Sequence, residues 1–473
     1  MKRFSLLLLL VSASLASFSR KNIQGDWLGT LNVGVKVRLV FHIKSDAAGG
    51  YSGSMDSPDQ GAKGIPVSAV ILKGDSLHVK VDVIKGSFDG LIINDTTISG
   101  AWRQGTLKAP ITIVKTKEEF KINRPQTPKP PFAYKAEEVE YDNADKTVHL
   151  AGTLTYPSGG GRFPVAIMIT GSGQQDRDET LFEHKSFAVI ADYLTKRGFA
   201  ILRVDDRGTG KTTGEVMKAS SADFANDVEA GIAYLKKRAE IDTTRIGLIG
   251  HSEGGLIAAL IGSRRKDINF MVMLAGPGIK GSVLLAEQGR AVLESQGIPA
   301  AAAKQYQGFY EQVINYSSSE KDTATAFAKV WTEYKNWEKT TDNATRQSLG
   351  YTDDAVATKI LRNLVNTISL PWMKYFVSSD PAKLLEKTTA KVLALNGEKD
   401  IQVLAQPNID GINAALKKSK SKVYNTKMFP GLNHLFQKCN LCTVGEYAVL
   451  EETFSVDALT EMGNWLQQNV QTK

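Results

Sequence analysis

Five short segments of this 473-residue chain are apolar at almost every position: FPVAIMIT (163–170), FAILRVDD (199–206), RIGLIG (245–250), FMVMLAG (270–276) and KVLALNG (391–397). A strand with one wet face alternates, so near-continuous apolarity means burial on both faces, as in a parallel sheet covered by helices. The segments between them supply such helices. FAVIADYLTKRG (187–198) and ADFANDVEAGIAYLKKRAE (222–240) carry apolar residues at helical spacing, and Asp223 after Ser220 and Ser221 is a start signal for the second. From about residue 137 the chain therefore reads as a doubly wound α/β domain. About 110 residues interrupt the alternation between Gly276 and Lys391, too many for a loop. They are rich in Ala, Gln, Glu, Lys and Tyr and read as a helical cap, about 278–388, over the carboxyl ends of the strands, where open α/β sheets bind ligands.

The amino-terminal part differs. VKVRLVFHIK (35–44), SLHVKVDVI (76–84) and TTISGAW (96–102) tend to alternate apolar with polar, and Gly, Asp and Ser clusters break them at short intervals. Residues 20–121 read as a small antiparallel barrel or sandwich. INRPQTPKPPFAYK follows, with four prolines in seven positions, so 122–136 reads as an extended, semi-rigid linker and 137–473 as the α/β domain with its cap. At the other end, MKRFSLLLLLVSASLA has two early positive charges, an apolar run over Leu6–Val11 and then small residues. This is the pattern of a signal peptide over residues 1–19, and it implies export to the periplasm or beyond.

Composition excludes several classes. The net charge of +8 comes from 58 Lys and Arg against 50 Asp and Glu, spread without a basic run of five, so no nucleic-acid partner is expected. No later segment reaches eighteen consecutive apolar residues, so no integral membrane segment is expected. Cys439 and Cys442 have no second ligand pair for zinc and no thioredoxin-like context, and read as a local disulfide or two unpaired thiols. A disulfide there would stiffen the loop after His434.

The chemistry centres on GHSEGG (250–255), which stands between a strand and the helix-capable LIAALIG. That context suits a nucleophile elbow, with Ser252 raised on a sharp turn and glycines at 250 and 254 relieving the crowding. A serine hydroxyl needs a base, and the base needs a carboxylate to orient it. Of the six histidines, His42 and His78 lie in the β unit, His149 in an early strand, and His184 before the first main helix. His251 lies inside the turn, its ring directed away from the hydroxyl. His434 alone follows the last strand pattern, KVYNTKMF (422–429), as the chain order Ser…Asp…His requires. Asp400, three residues after Gly397, is the expected acid, with Glu398 as its competitor. The oxyanion donors are expected at the amide of Glu253 and in the loop GSGQQDRDE (171–179), first at Ser172 and second at Gly173.

GSGQQDRDE, DDRGTGKTTG (205–214), GHSEGG, and the pair NGEKD with GLNHLFQ together resemble the α/β-hydrolase superfamily. More narrowly, 137–473 is similar to bacterial exported carboxylesterases of the serine-aminopeptidase and prolyl-oligopeptidase-like branch. The resemblance implies hydrolysis of carboxylic esters through an acyl-enzyme at Ser252, Asp400 and His434, with no metal or organic cofactor. Small uncharged esters are the expected substrates. A peptidase or amidase with the same triad, and a binding module that keeps the fold without catalysis, are the alternatives. DDRGTGKTTG lacks the spacing of a phosphate loop. Its Arg207 is expected to pair with Asp176, Asp178 or Asp205 and brace the 171–179 loop. Docking beside the cap and self-association are both open roles for the β unit.

Overall fold

The computed structural model describes residues 22–33, 36–46, 49–60, 62–105, 107–117 and 123–471, so the leader read at 1–19 lies outside the described residues. The described chain forms two compact units, the second beginning with Asn123.

The first unit has nine strands among its described residues: β1 (Gly25–Asn32), β2 (Lys36–Ser45), β3 (Tyr51–Ser57), β4 (Ala62–Pro66), β5 (Ala69–Lys73), β6 (Ser76–Val81), β7 (Gly86–Asn94), β8 (Thr97–Gln104) and β9 (Leu107–Thr116). They pair antiparallel in the order β2-β1-β9-β8-β7-β6-β5-β3-β4, and a further β2–β3 pairing closes the ring. Of the two all-β forms expected, the unit is the barrel. Alternation explains its core: Val37, Leu39, Phe41 and Ile43 of β2 all point inward. Phe41 meets Phe88 and Trp102 there at ring distances of 5.7 and 6.1 Å.

The second unit is built on β10 (Tyr134–Asp142), β11 (His149–Pro157), β12 (Phe163–Ile169), a small hairpin of β13 (Thr180–Leu181) and β14 (His184–Lys185), β15 (Ala200–Val204), β16 (Ile241–His251), β17 (Phe270–Leu274), β18 (Lys391–Gly397) and β19 (Tyr424–Phe429). Apart from the hairpin these make one sheet, ordered β10-β11-β15-β12-β16-β17-β18-β19. β10 pairs antiparallel with β11 and β11 with β15; all other neighbours are parallel.

The two buried faces account for the apolar runs. Val165, Ile167, Met271 and Met273 enter one core, with α2 (Ser221–Leu235), α3 (Glu253–Arg264) and α11 (Ala405–Lys418) packed on it. Ala166, Met168, Phe270 and Val272 enter the opposite core, covered by α1 (Ser186–Thr195) and α12 (Val456–Asn469). α2 starts where Asp223 accepts from both the amide and the hydroxyl of Ser220, at 2.8 and 2.7 Å. The chain passes from β12 to β15 on one side and then to β16 on the other. This reversal opens a crevice at the carboxyl ends of β12 and β16.

Seven helices among the described residues fill the connection from β17 to β18: α4 (Gly281–Ser295), α5 (Ala300–Ser319), α6 (Thr323–Thr340), α7 (Asn343–Ser348), α8 (Asp354–Ile368), α9 (Pro371–Ser378) and α10 (Pro381–Leu385). They close around their own core, which includes Phe309, Val330, Tyr334, Tyr351 and Leu361.

The segment read as a linker is not a free spacer. The Arg124 guanidinium donates to the carbonyls of Phe182, Ala448 and Leu450 at 2.9, 2.7 and 2.6 Å. Gln126 brackets the backbone of Phe454, donating to its carbonyl at 2.7 Å and accepting its amide at 3.0 Å. Residues from 123 onward thus belong to the α/β unit. Proline content predicts stiffness but carries no information about what flanking polar side chains will bond.

Candidate active site

β16 ends at His251 and α3 begins at Glu253, leaving Ser252 alone to turn the chain. Its backbone sits at φ 53°, ψ −120°, a region that residues with a Cβ rarely occupy unless their surroundings hold them there. The glycines on either side explain how the turn fits. A Cβ at Gly250 would lie 2.1 Å from the carbonyl oxygen of Gly254, and one at Gly254 would lie 2.1 Å from that of Ile169. Ser252 donates its amide to the carbonyl of Leu274 at 2.8 Å, which ties the turn to the neighbouring strand. Its side chain is half-buried, while His251 and Glu253 are buried.

Asp400 follows β18. One carboxylate oxygen accepts the amides of Gln402 and Val403 at 2.7 and 2.9 Å; the other accepts Nδ1 of His434 at 2.8 Å. With three donors on a buried acid, Asp400 fixes the imidazole as the Nδ1–H tautomer and leaves Nε2 with a free lone pair. Glu398 points elsewhere, to the amide of Gly431 and to Lys399. The loop carrying His434 is folded on itself: Asn433 accepts the amides of Leu435 and Gln437, and Cys439 is bonded to Cys442 as a disulfide. The Glu446 carboxylate accepts the amides of Asn440, Leu441 and Cys442.

The 171–179 loop lies against the serine turn. A Cβ built on Gly171 would be 3.3 Å from Cβ of Ser252, and Gly173 has a φ of +99° that glycine takes without strain. The bracing expected of Arg207 is supplied by other residues. Arg177, inside the loop, grips Asp205 at 3.0 and 2.7 Å and Glu138 at 2.6 Å, and Arg203 pairs with Asp178. Arg207 instead turns to Asp227 on α2, with one bond at 2.9 Å. The loop's own arginine reaches Asp205 first, so Arg207 is free to serve the helix. Asp206 completes the brace by accepting the Thr170 hydroxyl at 2.7 Å and the Gln175 amide at 2.9 Å. Burial pushes its carboxyl up to about 7.

A family model described as serine aminopeptidase, S33, matches residues 183–438, more than half of the chain. The chain belongs to the S33 serine aminopeptidase family. Its fold is that of the α/β-hydrolases, with an amino-terminal β-barrel. Esterase EstD of Thermotoga maritima is 32% identical over 138 residues, which are 29% of this chain and 33% of EstD. The match therefore spans about a third of that relative's length. Among solved structures, the Pyrococcus furiosus esterase Pf2001 is 16% identical, covering 75% of this chain and 100% of that one with a TM-score of 0.41. DcsB in complex with its substrate analogue is 16% identical, covering 72% and 100%, with a TM-score of 0.42.

Around the serine turn of this S33-family chain the structure adds side-chain contacts that the sequence does not announce, with Glu179 and Trp372 as new participants. Glu253 is 3% exposed, and its carboxylate accepts the Ser221 hydroxyl at 2.6 Å and the indole N–H of Trp372, on α9, at 2.7 and 2.8 Å. Burial pushes its carboxyl upward. A cavity of about 60 Å³ opens beside it, lined by Gly171, Gly173, Asp206, Arg207 and Asp227. His251 directs Nδ1 to Glu179 at 2.9 Å. His184 is fully buried between Thr453, Tyr447 and Gln437, and desolvation pushes it down to about 4, so it serves as a neutral packing group beneath the His434 loop. Glu179 and Trp372 left no local signal, since each acts on a partner 72 or more residues away. Among the described residues, no helix is long and apolar enough to cross a membrane.

Proposed function

We propose that the protein is an exported serine hydrolase that cleaves carboxylic esters through an acyl-enzyme. The observation that supports this most is the contact between two loops: the His434 ring lies 4.8 Å from the ring of His251, the residue before Ser252, while Asp400 holds Nδ1 of His434. In this reading Ser252 Oγ attacks the ester carbonyl carbon as His434 Nε2 takes its proton, and Asp400 stabilises the imidazolium. Negative charge on the carbonyl oxygen is met by the amide of Glu253 and by that of Ser172 or Gly173. The amide of Gly171 is already spent on Glu179, which leaves the next two amides of the loop for the oxyanion. Collapse expels the alcohol, which takes the proton from His434, and water attacks the acyl-enzyme by the same base.

Esters rather than amides are favoured because the relative with 32% identity is named an esterase. The family description favours a second reading, release of amino-terminal residues by the same groups. A binding module would have no need of the Asp400–His434 bond. The disulfide supports passage through an oxidising compartment. Small uncharged esters are the proposed substrates, and the barrel is proposed to join two copies of the chain. A panel of p-nitrophenyl esters and aminoacyl p-nitroanilides tests the reading. Higher kcat/KM on the esters is expected; higher kcat/KM on the anilides would replace it with the peptidase.

A further inference from the structure

His251 is a histidine whose two ring nitrogens both face acceptors. Nε2 lies 3.1 Å from the backbone carbonyl oxygen of His434, and Nδ1 lies 2.9 Å from Oε1 of Glu179. A carbonyl only accepts, so Nε2 carries a hydrogen. The proton between Nδ1 and Glu179 has two possible homes. The same Oε1 also accepts the amide of Gly171 at 2.8 Å, and a hydrogen bond received from an amide stabilises the ionised carboxylate over the carboxyl O–H. The proton therefore sits on Nδ1, and the ring is an imidazolium.

The surroundings suit this assignment. His251 and Glu179 are each 6% exposed, so water competes little for either charge. His251 and Glu179 line a small, largely apolar cavity with Ser186, Phe187, Ile190, Leu274, Leu435 and Phe454. The titratable groups facing the ring are Glu179, His434 and, further off, Asp400. Burial opposes the charge, but the Glu179 carboxylate and the His434 carbonyl outweigh it, and the ring's affinity for its proton is raised.

We propose that His251 is a permanently protonated positioning residue, forming with Glu179 a buried ion pair that locks the loop of His434 and the loop of Gly171 to the two sides of Ser252. The inference rests on the reading of Ser252 and His434 as nucleophile and base. With Glu179 ionised, a neutral imidazole offers one hydrogen and must release either the His434 carbonyl or Glu179, so the charged ring is the form that holds both loops. Pairing with Glu179 also keeps the net charge beside His434 near zero. The imidazolium that forms at His434 during turnover then meets Asp400 without opposition from a second cation.

The test uses the full-length protein labelled with ¹⁵N-histidine. Two-bond ¹H–¹⁵N spectra at pH 8, with the His251 signals assigned by their loss in His251→Gln, are expected to show both ring nitrogens protonated. The same signals should change in Glu179→Gln, which gives the assignment a second route if His251→Gln does not fold. A neutral tautomer of His251 at pH 8 would overturn the proposal. In kinetics, Glu179→Gln is expected to lower kcat roughly ten- to hundred-fold with KM within about two-fold, and to move the alkaline limb of the kcat profile to lower pH. An unchanged kcat and pH profile would also overturn it. Fluorophosphonate labelling separates the two readings. If wild type takes no label at Ser252, the nucleophile is wrong whatever the protonation of His251; if it labels normally and His251 is neutral, only the positioning role fails.

Discussion

Trp372 of the helical insertion donates its indole N–H to both carboxylate oxygens of Glu253, the residue that follows Ser252 in the turn. One hydrogen-bonded pair thus joins the cap to the backbone that presents Ser252. Trp372→Phe keeps the ring and removes the donor, leaving a buried carboxylate with Ser221 as its remaining partner. The variant should lose about 1–3 kcal/mol in urea unfolding and should show a raised KM as the cap loosens. Unchanged stability and unchanged KM would mean that the bond does not hold the cap.

Asp206 makes the fold sensitive to pH in a definite direction. Its folded-state value of about 7 stands above its ordinary 3.8, so across that interval the folded protein binds a proton that the unfolded chain has released. The stability it contributes is fully present below about pH 3.8 and is lost as pH rises through 7. Asp206→Asn removes the titration while its amide can still donate to Thr170 Oγ1 and its carbonyl accept from Gln175. The thermal midpoint of the variant relative to wild type should rise between pH 5 and pH 8. A flat or falling difference would contradict the assignment.

Arg207 and Asp227 form a largely buried ion pair, each side chain at most 14% exposed. Arg207→Ala strands the Asp227 carboxylate and should cost about 3 kcal/mol in denaturant unfolding. Replacing both partners, Arg207→Met with Asp227→Leu, should restore most of it. If the single variant is as stable as wild type, the pair carries no stability.

The disulfide closes a loop of four residues, for which chain entropy alone gives about 2 kcal/mol. Cys439→Ser with Cys442→Ser should lower stability by that amount and speed proteolysis between residues 436 and 454. Two free thiols in the mass of the unreduced protein would remove the basis for this expectation.

Legibility in the sequence followed the range of the interactions. The elbow glycines, the Ser220–Asp223 start of α2 and the two-faced apolar strands rest on neighbours within a few residues or on a periodicity, and each was readable. The barrel was readable as strands but not as a closed ring, because closure depends on the pairing of β2 with β3, which alternation does not specify. Arg207 was misassigned for the same reason. Loop proximity suggested Asp176, Asp178 or Asp205, whereas its partner lies on a helix face twenty residues on. Arg124 and Gln126 were hidden by the prolines around them, since most of their partners, Ala448, Leu450 and Phe454 among them, lie more than 300 residues downstream. Glu179 read as the end of a polar loop, and its bond to His251 exists only because the strand order sets the ends of β12 and β16 side by side.

The most direct measurement is fluorophosphonate labelling of the wild-type protein followed by peptide mass mapping. A single adduct on Ser252 is expected, absent in Ser252→Ala and greatly slowed in His434→Ala. No adduct, or an adduct on another serine that persists in Ser252→Ala, would contradict the assignment of the nucleophile.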